Sequence, residues 1–231
     1  MATWLGWGVQ DAGMPGYELF TVDGRGVAGL MPIPDEVRAM GVPPCWTGYV
    51  AVDDVDATAG RIVAEGGKLH RGPVEIPGAI RFAVVADPQG AVFIVAKSLM
   101  QDAPPELPMG TPGTPGWREL YAADWQSAFA FYGKLFGWTK AEAHDMGPMG
   151  IYQLFATGGA PVGGMMTKPP QVPVPHWLYY FNVDGIDAAA ARVTTGGGQL
   201  LMGPHEVPGG QWIVHCRDPQ GAAFALVAPK R

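Results

Sequence analysis

Cysteine is scarce in this chain. Only Cys45 and Cys216 occur in 231 residues, and the two do not occupy matching places in the internal repeat described below. No disulfide framework follows, and a reducing, cytoplasmic setting is expected. Positive charge is also thin: 15 Lys and Arg stand against 21 Asp and Glu, for a net charge of −6, and the basic residues never form a run. A phosphate backbone finds no electrostatic footprint here, so nucleic acid is not an expected partner. No window approaches the ~18 apolar residues of a membrane span. The amino-terminal residues show no basic segment followed by an apolar stretch. By contrast 34 Gly and 23 Pro suit short strands joined by turns. With 48% hydrophobic residues the chain has material for a sizeable core, or for two cores of about 100 residues each.

The richest signal is internal. Adding 131 to the numbers of residues 46–96 gives residues 177–227, and without a gap 22 of these 51 positions are identical. Trp46 meets Trp177, Tyr49 meets Tyr180, Asp53 meets Asp184, and Asp87-Pro88-Gln89-Gly90-Ala91 meets Asp218-Pro219-Gln220-Gly221-Ala222. The period far exceeds a solenoid unit, so a tandem duplication of small domains is expected. The predicted division is a first domain over 1–99, a Pro/Gly-rich linker over 100–116 and a second domain over 117–231.

Each copy reads as strand, helix, strands, twice over. Trp117 to Ala122 alternates as a strand. Asp124 then supplies a helix N-cap, Phe129, Tyr132 and Phe136 recur at helical spacing, and Gly137 stops the helix. Trp177 to Val183 and Trp46 to Val52 read as strands, followed by helices over 186–195 and 55–64 that end in glycines. Short strands flank the Asp-Pro-Gln-Gly turns. The expected fold is α+β: tandem βαβββ modules whose curved sheets carry helices on one face and leave a concave cavity on the other. Gly6-Trp7 aligns with Gly137-Trp138, so copy 1 is expected to lack its first strand and most of its first helix. That loss would bare Trp46, Val50 and Val52, and a homodimer is the expected cover.

Three pieces together resemble the vicinal oxygen chelate superfamily of glyoxalases, bleomycin-resistance proteins and extradiol dioxygenases. They are the helix end Ala130-Phe131-Tyr132-Gly133-Lys134-Leu135-Phe136-Gly137-Trp138, the entry Val52-Asp53-Asp54-Val55-Asp56, and the Asp-Pro-Gln-Gly turn before a final apolar strand. The resemblance implies two such domains in tandem. It also implies a divalent-metal site with His, Gln or Glu ligands at fixed points, which fall on Trp117, Thr47, Leu178, Ile94 and Ala225. A further point falls within 27–31 or 162–167, where no acidic residue or His occurs. None of these is a plausible ligand, so no cofactor is predicted. A divalent metal on displaced ligands is the alternative.

Strand alternation places Trp117, Glu119 and Tyr121, together with Tyr180 and Asn182, on the predicted cavity face of copy 2, and Tyr49 on that of copy 1. Apolar walls with a few polar anchors suit a small-molecule ligand, aromatic or carbonyl-bearing. Glu119 is the candidate general base, because a carboxylate among aromatics has a raised pKa; the structural alternative is a carboxylate hydrogen-bonded at the sheet's rim. Glu75 and Glu206 share a repeat position between prolines, where a carboxylate more often satisfies turn backbone. His205, His215 and Glu206 form the displaced metal set to be weighed, although isolated histidines usually serve other ends. Cys216, beside His215, points to the opposite face of its strand. Three readings follow: a metal-free binding protein, a metal-dependent glyoxalase-like lyase or dioxygenase, and a metal-independent acid–base enzyme using Glu119.

Overall fold

The computed structural model describes residues 2–101, 105 and 107–231. It is α+β, built of curled antiparallel and mixed sheets with few helices. In chain order the first module comprises α1 (Ala2–Leu5), β1 (Gly8–Met14), β2 (Tyr17–Val22) and β3 (Arg25–Leu30). A short connecting helix, α2 (Asp35–Ala39), had no clear signature in sequence. The second module is β4 (Tyr49–Ala51), α3 (Val55–Ala64), β5 (Lys68–Ile76), β6 (Ile80–Ala86) and β7 (Val92–Ser98). The third is β8 (Pro115–Ala122), α4 (Trp125–Phe136), β9 (Thr139–Asp145), β10 (Ile151–Ala156) and β11 (Pro161–Thr167). The fourth is β12 (His176–Asn182), α5 (Ile186–Thr195), β13 (Gln199–Val207), β14 (Gln211–Arg217) and β15 (Ala223–Ala228).

Local chemistry explains the boundaries. Asp54 and Asp124 cap α3 and α4 by accepting from the backbone N–H of Ala57 (2.9 Å) and Ser127 (3.0 Å), each satisfying one orphan donor of a first turn. Gly137 ends α4 in the left-handed region at φ 70°, which costs glycine nothing. In both Asp-Pro-Gln-Gly turns the aspartate Oδ1 accepts two backbone N–H groups at 2.9 Å: Gln89 and Ala91 for Asp87, Gln220 and Ala222 for Asp218. The repeated motif is thus a self-satisfied Asx turn.

The chain packs as two compact units, residues 1–46, 104–117 and 179–231 in unit 1 and residues 47–103 and 118–178 in unit 2. These units are not the sequence segments 1–99 and 117–231. Unit 1 holds the first and fourth modules, unit 2 the second and third. β8 and β12 each contribute residues to both.

In unit 1 the strand order is β13-β14-β15-β12, with β1-β2-β3 as a separate sheet. Helix α5 lays Ile186, Ala189, Ala190 and Val193 onto Val214, Cys216, Phe224 and Leu226, all buried. Trp4 stacks on Phe224 at 6.2 Å, and Trp7 meets Phe20 at 4.7 Å and Phe181 at 5.2 Å. Gly196 leaves room for the Trp4 ring, since a Cβ there would strike it. Trp46 packs against Trp7 and Phe181, so this chain itself covers an indole that was expected to need a partner protomer.

Unit 2 has the orders β4-β7-β6-β5 and β8-β11-β10-β9. Their helix-bearing faces meet through Phe93, Tyr132 and Phe136. Arg61 donates to the carbonyl of Leu135 at 2.8 Å, tying α3 to the end of α4. Trp177 lies on the helix side, as alternation predicts, in contact with Tyr132, Trp138 and Phe155. Fully burying one such large side chain is worth about 1.5–3 kcal/mol.

Candidate functional site

The helix-free face of the β8 sheet in unit 2 carries the first candidate. Leu120 and Ala122 are fully buried toward the helix layer, so strand alternation sends Glu119 and Tyr121 to the other face. In register with β11, Glu119 lies opposite Gly164 and Tyr121 opposite Met166. Gly164 is needed there: a Cβ would strike the ring of Tyr152, which crosses the strand at that point. Glu119 is only 6% exposed, and the Tyr121 hydroxyl donates to it. Burial, and then the adjacent Glu119 carboxylate, push the Tyr121 phenol far above the usual tyrosine range, so it stays a protonated donor at any physiological pH. The His176 ring stacks on Tyr121 at 5.2 Å and 17°, with its Nδ1 3.1 Å from the Val174 carbonyl oxygen. The buried amide of Gln153, not singled out in sequence, donates to the carbonyls of Ala141 and Leu154 at 3.0 Å each. It is a sheet fastener.

Tyr49 also lies in unit 2, opposite Ile94 on the neighbouring strand, and is 54% exposed. Glu75 is exposed and pairs with Arg81 at 3.4 Å.

The rest of the predicted set lies in unit 1. Of the residues that sequence reasoning grouped, Trp117, Tyr180 and Asn182 fall in unit 1 and Glu119 and Tyr121 in unit 2. Trp117 is partly buried. Asn182 is a structural anchor: its Nδ2 donates to Thr114 Oγ1 at 3.0 Å, and its backbone exchanges hydrogen bonds with Gly113 and Thr114. The end of the linker region is therefore pinned, with Trp7 Nε1 donating to the Gly113 carbonyl at 2.7 Å. Gly116 lets the chain pass close to the Asn182 side chain.

Tyr180 is buried, and its hydroxyl lies 2.7 Å from Nε2 of the part-buried His215. Sequence reading missed this pair because residues 35 apart on non-adjacent strands leave no local signal. The facing of His215, ambiguous in an all-apolar strand, is settled by Val214 and Cys216, which are fully buried toward the helix layer. Burial, with His205 nearby, lowers the His215 pKa to about 4, so the ring is neutral at pH 7. Burial raises the Cys216 thiol to about 12, which leaves it inert as a nucleophile.

Among the described residues no three of His, Cys, Asp and Glu come together as a metal-binding group. His205 and Glu206 are exposed and, as strand neighbours, point to opposite faces. At the positions where the resemblance implies ligands, Trp117, Leu178, Ile94 and Ala225 bring no lone pair for a cation. Among the described residues no helix is long and apolar enough to cross a membrane.

A model of the glyoxalase/bleomycin resistance protein/dioxygenase superfamily matches residues 115–226. Over 237 residues the chain is 34% identical to the "Putative glyoxylase CFP32" of Mycobacterium tuberculosis, covering 97% of this chain and 86% of that one. It is also 34% identical to the anthracycline biosynthesis protein DnrV of Streptomyces peucetius, covering 97% and 84%. Among solved structures, the Mn(II)-bound glyoxalase from Novosphingobium aromaticivorans superposes with a TM-score of 0.65 at 18% identity, over 96% of this chain and 74% of that one. The 2,2',3-trihydroxybiphenyl 1,2-dioxygenase from Sphingomonas wittichii gives 0.66 at 17% identity, over 98% and 82%. These two share the fold.

Proposed function

Because this chain belongs to the glyoxalase/bleomycin resistance protein/dioxygenase superfamily, we propose that it binds a small aromatic, carbonyl-bearing molecule without a catalytic metal, on the helix-free face of unit 2. One observation carries the reading: Glu119 is a buried carboxylate held by the Tyr121 hydroxyl. A buried carboxylate with a fixed partner is costly to maintain for stability alone, and such groups gather at sites that bind or move protons. Tyr121 and the stacked His176 ring supply flat surface for an aromatic ligand. The relatives named for anthracycline biosynthesis support a polycyclic ligand with ketone and phenol groups. Should the protein be an enzyme, Glu119 is the general base, taking a proton from carbon or oxygen next to a ligand carbonyl while the Tyr121 hydroxyl stabilises the carboxylate.

A cytoplasmic location and a homodimer belong to the same proposal. The homodimer is supported by β3, which pairs with β2 and with no other strand among the described residues; an open edge is a ready template for a second chain.

The decisive experiment is a thermal-shift screen of polycyclic hydroxyketones on metal-analysed protein. A ligand at 100 times its Kd adds ~2.7 kcal/mol of apparent stability. Binding by metal-free protein that is weakened in Glu119→Gln is the expected result. One stoichiometric metal per chain whose removal abolishes binding or turnover would overturn it in favour of a metal-dependent lyase or dioxygenase.

A further inference from the structure

Helix α4 carries a groove on the helix layer of unit 2, the side of the β8 sheet away from Glu119. Ser127, Ala130, Phe131 and Lys134 recur at helical spacing along one face of the helix, and at ~1.5 Å of rise per residue Ser127 and Lys134 stand about 10 Å apart. Both ends are closed by contacts from the second module. At one, Gln89 Nε2 donates to Ser127 Oγ at 2.9 Å and to the Asp124 carbonyl at 2.8 Å. At the other, Lys134 Nζ donates to Glu65 Oε2 at 2.7 Å. Between these clamps lies a space of about 270 Å³ with an apolar lining, Pro88 from the turn and Ala128, Ala130 and Phe131 from the helix. The two clamps differ in what they can release. The Gln89 amide is committed at both ends, since its Oε1 also accepts from the backbone N–H of Asp124 at 3.0 Å. The Lys134–Glu65 pair is solvent-facing, with side chains 65% and 33% exposed, and an exposed ion pair contributes little to stability. It can open to admit a ligand at small cost.

We propose that this groove binds a free α-amino acid with an apolar side chain: the ligand's ammonium joins Glu65, its carboxylate joins Lys134, and its side chain lies along Phe131 toward Ser127. The charge pattern decides the class. A simple carboxylic acid that reaches Lys134 also meets the Glu65 carboxylate beside it, and a simple amine that reaches Glu65 also meets the Lys134 ammonium. A zwitterion, with both signs on one carbon, matches both partners at once. The apolar middle decides the rest: a benzyl group fits the length between the clamps, and the Phe131 ring offers it an aromatic contact. The repeat makes the site single. Glu65 corresponds to Gly196, where a Cβ would strike the Trp4 ring, so unit 1 has no acidic side chain at that point.

The test is a titration of the full 15N-labelled chain with L-phenylalanine, followed by amide NMR, with N-acetyl-L-phenylalanine and L-phenylalaninamide as probes that each lack one charge. Saturable shifts are expected at residues 65, 88–89 and 127–134, and each blocked probe should bind at least about fivefold more weakly. Ala130→Leu exchanges an exposed residue of α4 for another good helix former, so it should fill the groove and abolish the shifts with the fold intact. Glu65→Gln, at the rim, should weaken L-phenylalanine at least about fivefold, and Glu119→Gln should leave its affinity at this groove unchanged. Equal affinity for the blocked probes, shifts that do not saturate or that fall only elsewhere, or full affinity in either Ala130→Leu or Glu65→Gln would each overturn the proposal, whatever becomes of the Glu119 site.

Discussion

The indole Nε1 of Trp177 donates to the hydroxyl of Tyr132 at 3.1 Å, and that hydroxyl lies in turn 3.1 Å from Oδ2 of Asp87. The chain joins a strand, a helix and a turn of unit 2 through one buried oxygen. In unit 1 the repeat places Trp46 where Trp177 stands, and its Nε1 is buried with no hydrogen-bond partner. The position matching Tyr132 is Met1, and methionine brings no comparable hydroxyl.

Tyr132→Phe should therefore destabilise unit 2 by about 1–3 kcal/mol, since it strands both a buried indole N–H and a buried carboxylate. Urea unfolding followed by far-UV circular dichroism measures it. Trp177→Ala, which also opens a cavity, should cost about 3–5 kcal/mol; a loss below 1 kcal/mol would contradict the helix-side packing.

Glu119→Gln preserves volume and an acceptor for the Tyr121 hydroxyl, so stability should stay within about 1 kcal/mol while ligand binding or turnover falls. The Tyr121 phenol should titrate lower than in the parent, having lost the carboxylate's charge, yet above ordinary tyrosine because burial is the larger cause. Spectrophotometric titration at 295 nm against a Tyr121→Phe control reads the shift.

His215 ties stability to pH. Its folded pKa of about 4 lies below the ordinary 6.5, so the unfolded chain takes up a proton first as pH falls. The stability of the neutral folded state is complete above about pH 6.5 and is lost progressively down to about pH 4, by up to about 3 kcal/mol. His215→Gln should flatten that part of the curve in chemical denaturation at stepped pH.

Trp4 and Trp7 are core residues of unit 1, 4% and 6% exposed. Trp7→Ser should cost about 3–5 kcal/mol through lost packing, along with the bond to Gly113. The expected signature is a lower unfolding midpoint at every protein concentration. A shift in oligomeric state with unchanged midpoint would place these indoles at an interface instead.

Local grammar made much of the fold legible. Asp54, Asp124 and Gly137 announce helix ends because capping chemistry acts within a few residues, and alternation located the buried side of the strand at Trp177. The candidate site was legible one strand at a time. Glu119 and Tyr121 are two apart on one strand, so their shared face follows from pleating alone. Tyr180 and His215 meet across an intervening strand over an alanine, Ala225, a relation fixed by sheet order, which no local pattern encodes.

That pairing of first module with fourth and second with third bears on how the molecule is made. A ribosome releasing residues 1–99 delivers parts of both units, and the remaining part of each emerges later. Nicking the chain between Leu99 and Pro112 should therefore yield two fragments that complement each other when mixed, in the manner of a split reporter.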